Sequence, residues 1–192
     1  MPTNIMEGFS ASHVSILDGA TSAEDAAQTV GTDVFGVRSA AVDPDVGQFD
    51  NEGDDSILSS WYWLNFATLT VTSGYISFPV LAAVTGKSIS SSGTGSSTKF
   101  GFDLWHEDHM NTEPKPVLVR VPSKDSEGVV RRLDIVLYKV QFGPMTFAGP
   151  AYKTGMEVTY AGRALSSLKD EKGTAHADGK KRVGRLISGA VI

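Results

Sequence analysis

The chain contains no cysteine, which removes disulfides, thiol catalysis and thiolate metal sites and fits a protein made in a reducing cytoplasm. No apolar run reaches the roughly 20 residues that a membrane-crossing helix needs. No N-terminal stretch reads as charged, then apolar, then small-residue. The expectation is a chain neither membrane-inserted nor secreted by that route. Bases are nearly missing from the first 60 residues, where eleven acids face only Arg38. That segment carries a net charge of -10, the remainder +5, and the whole chain -5. An acidic half and a basic half suit head-to-tail self-association as well as pairing within one molecule.

What is present is enough for one well-buried domain: 192 residues, 41% of them hydrophobic. The most ordered pattern lies in residues 59–86, SSWYWLNFATLTVTSGYISFPVLAAVTG. Ala67, Leu69 and Val71 alternate with Thr68, Thr70 and Thr72, the period-2 signature of a strand with one packed and one polar face. Upstream both faces are apolar, with Trp61 and Trp63 on one and Tyr62, Leu64 and Phe66 on the other. Trp61, Trp63 and Phe66 are therefore expected in the core, and Thr68, Thr70 and Thr72 on a surface that meets water or a partner. After the Ser73-Gly74 break, Ser77 as N-cap, Pro79 in the first turn and Gly86 just past the end frame a short helix.

Residues 1–32, rich in Ala, Ser, Thr and Asp, read as an extended or loosely docked arm, with at most a short helix at 23–28. Residues 34–42 read as a strand weakened by Gly36. Residues 43–55, DPDVGQFDNEGDD, are acidic and carry Pro44, Gly47 and Gly53; they are expected to form a long loop, not a helix or a central strand. Residues 88–98 are a Ser/Gly linker by composition. Strands resume at 99–105, at 117–121 (Val117, Val119 and Val121 alternating) and at 156–165. Residues 131–142 form a strand whose buried face changes from Leu133, Ile135 and Leu137 to Val136, Tyr138, Val140 and Phe142, which requires a bulge or a move between sheets. Residues 169–192 are basic and Gly-rich and end in an apolar string able to add an edge strand. The expected fold is mainly β, a β-sandwich or barrel with one short flanking helix, divided into an arm (1–32), a β domain (33–168) and a basic C-terminal segment (169–192).

No motif carries catalysis. His106 and His109 flank Glu107 and Asp108 one residue short of the zincin spacing, on a segment read as a polar turn. GTGSSTK at 93–99 lacks the order of a phosphate-binding loop. His13 and His176 have no partner arrangement resembling a triad. Lys180, Lys181, Arg182 and Arg185 lack the interleaved aromatics of a nucleic-acid binder, so a solvated or subunit-pairing segment is the better reading. No enzymatic activity, cofactor or metal is expected.

The order of parts across residues 33–185 is a strand, an acidic loop, an aromatic and Thr-rich strand, then FPVLAAVTG with a Ser/Gly stretch. More strands follow, and then FGPMTFAGPAYKTGMEVTYAGRALSSLKDEKG. This order resembles the major tail (tail tube) proteins of long-tailed, siphovirus-type bacteriophages, particularly those of actinobacterial hosts. The resemblance implies a β-sandwich whose subunits close into hexameric rings stacked as a tube, in the virion tail after assembly in the host cytoplasm. Strands line the lumen, and the loop at 43–55 reaches the next ring. It implies as partners further copies of the chain, the tape measure protein, tail terminator and distal tail or baseplate proteins, and viral DNA passing non-specifically through an acidic lumen during ejection. On that basis Asp43, Asp45, Asp50, Glu52, Asp54 and Asp55 are stacking candidates and Thr68, Thr70 and Thr72 lumen or ring-contact candidates, while opposite charge, not the resemblance, makes Lys180, Lys181 and Arg182 their basic counterparts. The alternatives are a carbohydrate- or receptor-binding β-sandwich using Trp61, Trp63 or Trp105, a metal-dependent hydrolase, or a head-tail connector or capsid decoration subunit.

Overall fold

The computed structural model describes residues 7–8, 13–17, 31–53, 56–102, 112–124, 128–149 and 156–191; at 7–8, 49–53, 56–61, 124 and 188–191 the description is of the backbone alone. In chain order the strands are β1 (Glu7–Gly8), β2 (His13–Ile16), β3 (Thr32–Val34), β4 (Val37–Gly53), β5 (Ser56–Ser73), β6 (Ser90–Ser92), β7 (Lys99–Gly101), β8 (Lys115–Lys124), β9 (Val130–Phe142), β10 (Thr146–Ala148), β11 (Glu157–Leu165) and β12 (Gly184–Val191). One helix, α1 (Phe78–Thr85), follows β5. The fold is mainly β. Ten strands form one sheet along the path β3-β2-β8-β9-β11-β5-β4, with β1 on β8, β10 on β11 and β12 on β9, while β6 and β7 pair by themselves. Every strand pairing is antiparallel.

The two ends of that path, β3 and β4, are consecutive in the chain and joined only by Phe35 and Gly36. The sheet must therefore curl until its edges meet. Gly36 makes the join with φ 62°, and the ring of Tyr75 fills the space its Cβ would take. Ser73 Oγ donates to the Phe35 carbonyl at 2.6 Å and the Gly74 N–H to the Gly36 carbonyl at 2.9 Å, fastening the corner. Inside the curl lies one core, drawn from β2 (Val14, Ile16), β5 (Leu69, Val71), β8 (Val117, Val119), β11 (Val158, Tyr160) and the buried face of α1 (Val80, Leu81, Val84). α1 ends as the sequence implies: Gly86 takes a left-handed φ of 69° and its N–H donates to the Ala82 carbonyl at 2.8 Å.

β9 is buried on both faces. Leu137, Val140 and Phe142 enter the main core, while Val136 and Tyr138 join Leu17 and Leu118 in a second cluster on the opposite side. The change from odd to even positions occurs at a bulge, where Val117 and Lys115 of β8 pair with Leu137 and Val140, so β9 spends one extra residue; Val136 and Tyr138, expected on the face of Val140 and Phe142, lie on the other one because they precede that bulge or fall within it. β9 also changes neighbour there, from β12 at residues 131–137 to β11 at 140–142. Asp134 is fully buried on β9 between two guanidinium groups, at 3.0 Å from Arg120 Nε and 2.8 Å from Arg132 Nε. A buried carboxylate is tolerable only with such partners.

Several expectations are corrected. Within residues 1–32, His13–Ile16 is an integral strand between β3 and β8, with Val14 and Ile16 in the core; the rest of the arm apart from Glu7–Gly8 and residues 17, 31 and 32 lies outside the described residues. Gly36 does not weaken a strand but ends β3 in a turn. Residues 88–98 are not a linker throughout, because Ser90–Ser92 pairs with Lys99–Gly101 around left-handed Gly93 and Gly95. Residues 43–53 are not a loop: β4 runs through them to Gly53. Pro44 and Gly47 are admissible there because β4 is an edge strand hydrogen-bonded only to β5, so a missing N–H can face outward. The C-terminal segment does add an edge strand, β12 on β9.

Candidate assembly surfaces

β5 keeps both neighbours only in its second half. Its pairing with β11 runs from Ser73 to Phe66, whereas its pairing with β4 continues to Ser56. Residues 56–65 and their β4 partners thus leave the sheet as a two-stranded tongue, roughly 30 Å long at about 3.3 Å per residue. A bulge at its root sets Asp45 opposite Phe66 and Val46 opposite Leu64, leaving Asn65 extra. Among the described residues no second layer covers the tongue. Trp63 is 50% exposed, Tyr62 65% and Leu64 46%. Trp63 was expected in the core, and this corrects it: the strand has outrun the layer that would have buried the ring. Its indole instead lies over Gly47, the residue it pairs with, in the space a Cβ would take. Phe66 is half-buried under the Arg163 guanidinium, 4.8 Å from the ring centroid. Trp61 lies in the tongue backbone, its side chain beyond the description.

Asp43 and Asp45 sit at the tongue root, and Asp50 and Glu52 are carried out along it by β4. Asp54 and Asp55 lie outside the described residues. From residue 43 to residue 65 the chain has these six acids and no base. Below the root, the outer face of the sheet is small and polar. Thr68, Thr70 and Thr72 of β5, all half-buried, are flanked by Asp43, Ala41 and Ser39 of β4 and by Arg163, Ala161 and Thr159 of β11. A shallow depression of about 460 Å³ opens on this face, lined by Phe66, Thr68, Gln141, Ala161 and Arg163. The three threonines thus share one face, opposite the core residues Ala67, Leu69 and Val71.

The basic candidates lie far along the chain in a compact cover over β9. Ser167 bridges Arg182 and Lys169 bridges Ala175; Asp170 Oδ1 accepts from the Lys172 and Thr174 N–H groups at 3.0 and 2.8 Å. Buried Glu171 accepts from Arg185 at 2.5 Å, and the Tyr138 ring lies 5.1 Å from His176. Burial raises the Tyr138 hydroxyl above its ordinary pKa, against the lowering pull of Arg185. Lys180 and Lys181 are exposed, whereas Arg182 is engaged by Asp178 at 2.8 Å. That contact holds Asp178 below and Arg182 above their usual ranges. Arg182 is thus a less available counterpart than the two lysines.

Sequence reasoning missed one polar cluster. Ser15 Oγ donates to Asp33 Oδ1 at 2.5 Å, and His13 Nε2 lies 2.7 Å from Ser15 Oγ and 2.9 Å from Asp33 Oδ1. These are triad residue types, brought together because Ser15 and Asp33 pair directly across β2 and β3. A relay needs the acid on one ring nitrogen and the hydroxyl on the other; here both meet Nε2 and the hydroxyl donates to the acid. The cluster satisfies buried polar groups and has no activated nucleophile. The segment holding His106 and His109 lies outside the described residues, and among those described no group of metal-ligating side chains assembles.

The sequence matches no protein-family model and no curated protein.

Proposed function

We propose that this chain is a structural, self-assembling subunit of a bacteriophage tail tube, building stacked rings around a lumen that conducts viral DNA. The observation that carries the reading is the tongue: about 30 Å of two-stranded ribbon with exposed Trp63, Tyr62 and Leu64 and, among the described residues, no layer of its own. An isolated two-stranded ribbon is marginal in water, and exposed apolar clusters mark interaction surfaces. The Thr- and Ala-rich face supports a lumen role, since short neutral side chains offer few grips to a passing polyanion and Asp43 and Asp45 outnumber Arg163 there. Other copies, the tape measure protein, and the terminator and distal tail proteins are the corresponding partners. Negative-stain electron microscopy of the purified protein tests the reading: rings or tubes with a central channel are expected, and particles that stay monomeric at high concentration overturn it.

The exposure of Trp63 favours a second reading, a carbohydrate-binding platform. Tyr62 and Trp63 are successive in one strand and point to opposite faces, so the two rings do not form one flat platform. Quenching of Trp emission by added oligosaccharides, with no self-assembly, would establish this reading instead.

A further inference from the structure

β11 and β12 occupy one lane of the sheet. Both run antiparallel to β9 on the side away from β8, β11 opposite residues 140–142 and β12 opposite residues 131–137. The cover leaves the lane between them, and its neck is closed by Ser167 and Arg182, which exchange N–H to carbonyl bonds of 2.8 and 2.9 Å. β5 flanks β11 as far as Phe66, opposite Leu165, so the strand that its free edge meets next in that lane is β12. Yet among the described residues β12 pairs only with β9, and residues 56–65 of β5 only with β4. Two unpaired strand edges thus run antiparallel to each other in adjacent lanes.

Their faces agree as well. Ala164 and Ala67 pair directly and both point into the core. Past them β9 spends its extra residue and β5 spends Asn65, at the same level of the sheet. The next core-side residues are then Gly184 and Leu186 on β12, opposite Leu137 and Ile135, and Leu64 and Tyr62 on β5, opposite Val46 and Gln48. Leu186 and Tyr62 are each 65% exposed. The Tyr138 N–H donates to the Val183 carbonyl at 3.0 Å, so by alternation the N–H and C=O groups of Gly184, Leu186 and Ser188 point away from β9, toward the lane of the tongue. We infer that the tongue has a second position, seated along β12 with Leu64 opposite Gly184 and Tyr62 opposite Leu186. The bulge at Asn65 is the hinge, and there the Asn65 amide reaches the Asp45 carboxylate only at 3.5 Å. Seating pairs the edge of β12 and packs Tyr62 against Leu186. Resting on the assembly reading above, a seated tongue is withheld from neighbouring subunits, so the hinge sets when a subunit can add.

Because the chain has no cysteine, introduced thiols report the seat directly. Oxidised at low concentration with copper phenanthroline, Tyr62→Cys/Leu186→Cys should lose both thiols to a link within one chain. Trp63→Cys/Leu186→Cys, with one thiol moved to the opposite face, should keep them. Equal linking in both variants, or in neither, overturns the seat. Hydrogen exchange on the wild type gives a second readout that no misfolded variant can spoil. The amides of Gly184, Leu186 and Ser188 should be protected at low concentration, although β9 does not bind them; exchange at the unprotected rate overturns the seat as well. The linked chain should sediment as single subunits and assemble only after reduction. Linked chains that assemble as the wild type does overturn the withholding role and leave the seat standing. A wild type that never associates overturns the tube reading, and the thiol and exchange results then decide the seat by themselves.

Discussion

β9 and the tongue half of β5 are both long, apolar strand segments, yet among the described residues one is covered on both faces and the other on neither. Val136 and Val140 of β9 are fully buried, whereas Tyr62, Trp63 and Leu64 stand about half exposed or more. Hydrophobicity is comparable; what differs is the number of neighbours. β9 has β8 on one side and β12 then β11 on the other, while β5 beyond Phe66 has only β4. Stability therefore resides in the curled body, and the exposed apolar side chains of the tongue contribute little to it.

The sharpest way to break this contrast is to strand a charge in the body. Asp134→Ala leaves Arg120 and Arg132 facing each other without their carboxylate and should cost about 3–5 kcal/mol in urea unfolding, against within about 0.5 kcal/mol for Asp45→Ala at the exposed tongue root. Equal losses would mean the tongue is integral to the fold. Next in size, Leu69→Ala should cost about 2–5 kcal/mol by opening a cavity. Leu64→Ala, five residues earlier in the same strand, should stay below about 1 kcal/mol while reducing assembly. A similar drop in melting temperature for both would place Leu64 in a core.

The body should also answer to alkali. Burial pushes the Tyr160 hydroxyl up to about 12 from an ordinary value of 10.0. In the unfolded chain this phenol ionises first, so the stability it contributes is complete below pH 10 and is lost as pH rises towards 12. The loss is on the order of 3 kcal/mol at about 1.4 kcal/mol per pH unit. Tyr160→Phe should flatten that part of the pH-stability curve, and an unchanged slope would assign the alkaline loss elsewhere. The smallest effect belongs to the tongue surface. A Cβ at Gly47 would stand 2.3 Å from the Trp63 ring, so Gly47→Ala should shift Trp emission with little change in unfolding free energy. Unaltered emission would show that the indole does not rest there.

Local patterns made much of the body legible. Strict alternation marked β8 and the core half of β5, the Ser77, Pro79 and Gly86 signals framed α1, and a parity change in residues 131–142 revealed the bulge in β9. Residues 43–53 were misread because Pro44, Gly47 and six acidic or amide side chains are breaker signals only where a strand has neighbours on both sides; on an edge they are tolerated. Trp63 was misplaced for a related reason, since side-chain apolarity cannot say where the second layer of a sheet stops. The Ser15, Asp33 and His13 contacts and the lane shared by β11 and β12 were out of reach, because each joins segments distant in sequence through pairings that no local pattern encodes.

The pairing of β2 with β8 joins residues about a hundred positions apart, Val14 with Val119 among them. During synthesis, β2 leaves the ribosome long before its neighbour exists, whereas β4 and β5 are adjacent in the chain and need only a local turn. Distant pairings form slowly and exposed strand edges invite aggregation. The nascent chain can therefore pair its tongue while its body is still open, with the β2 edge uncovered until synthesis has passed β8.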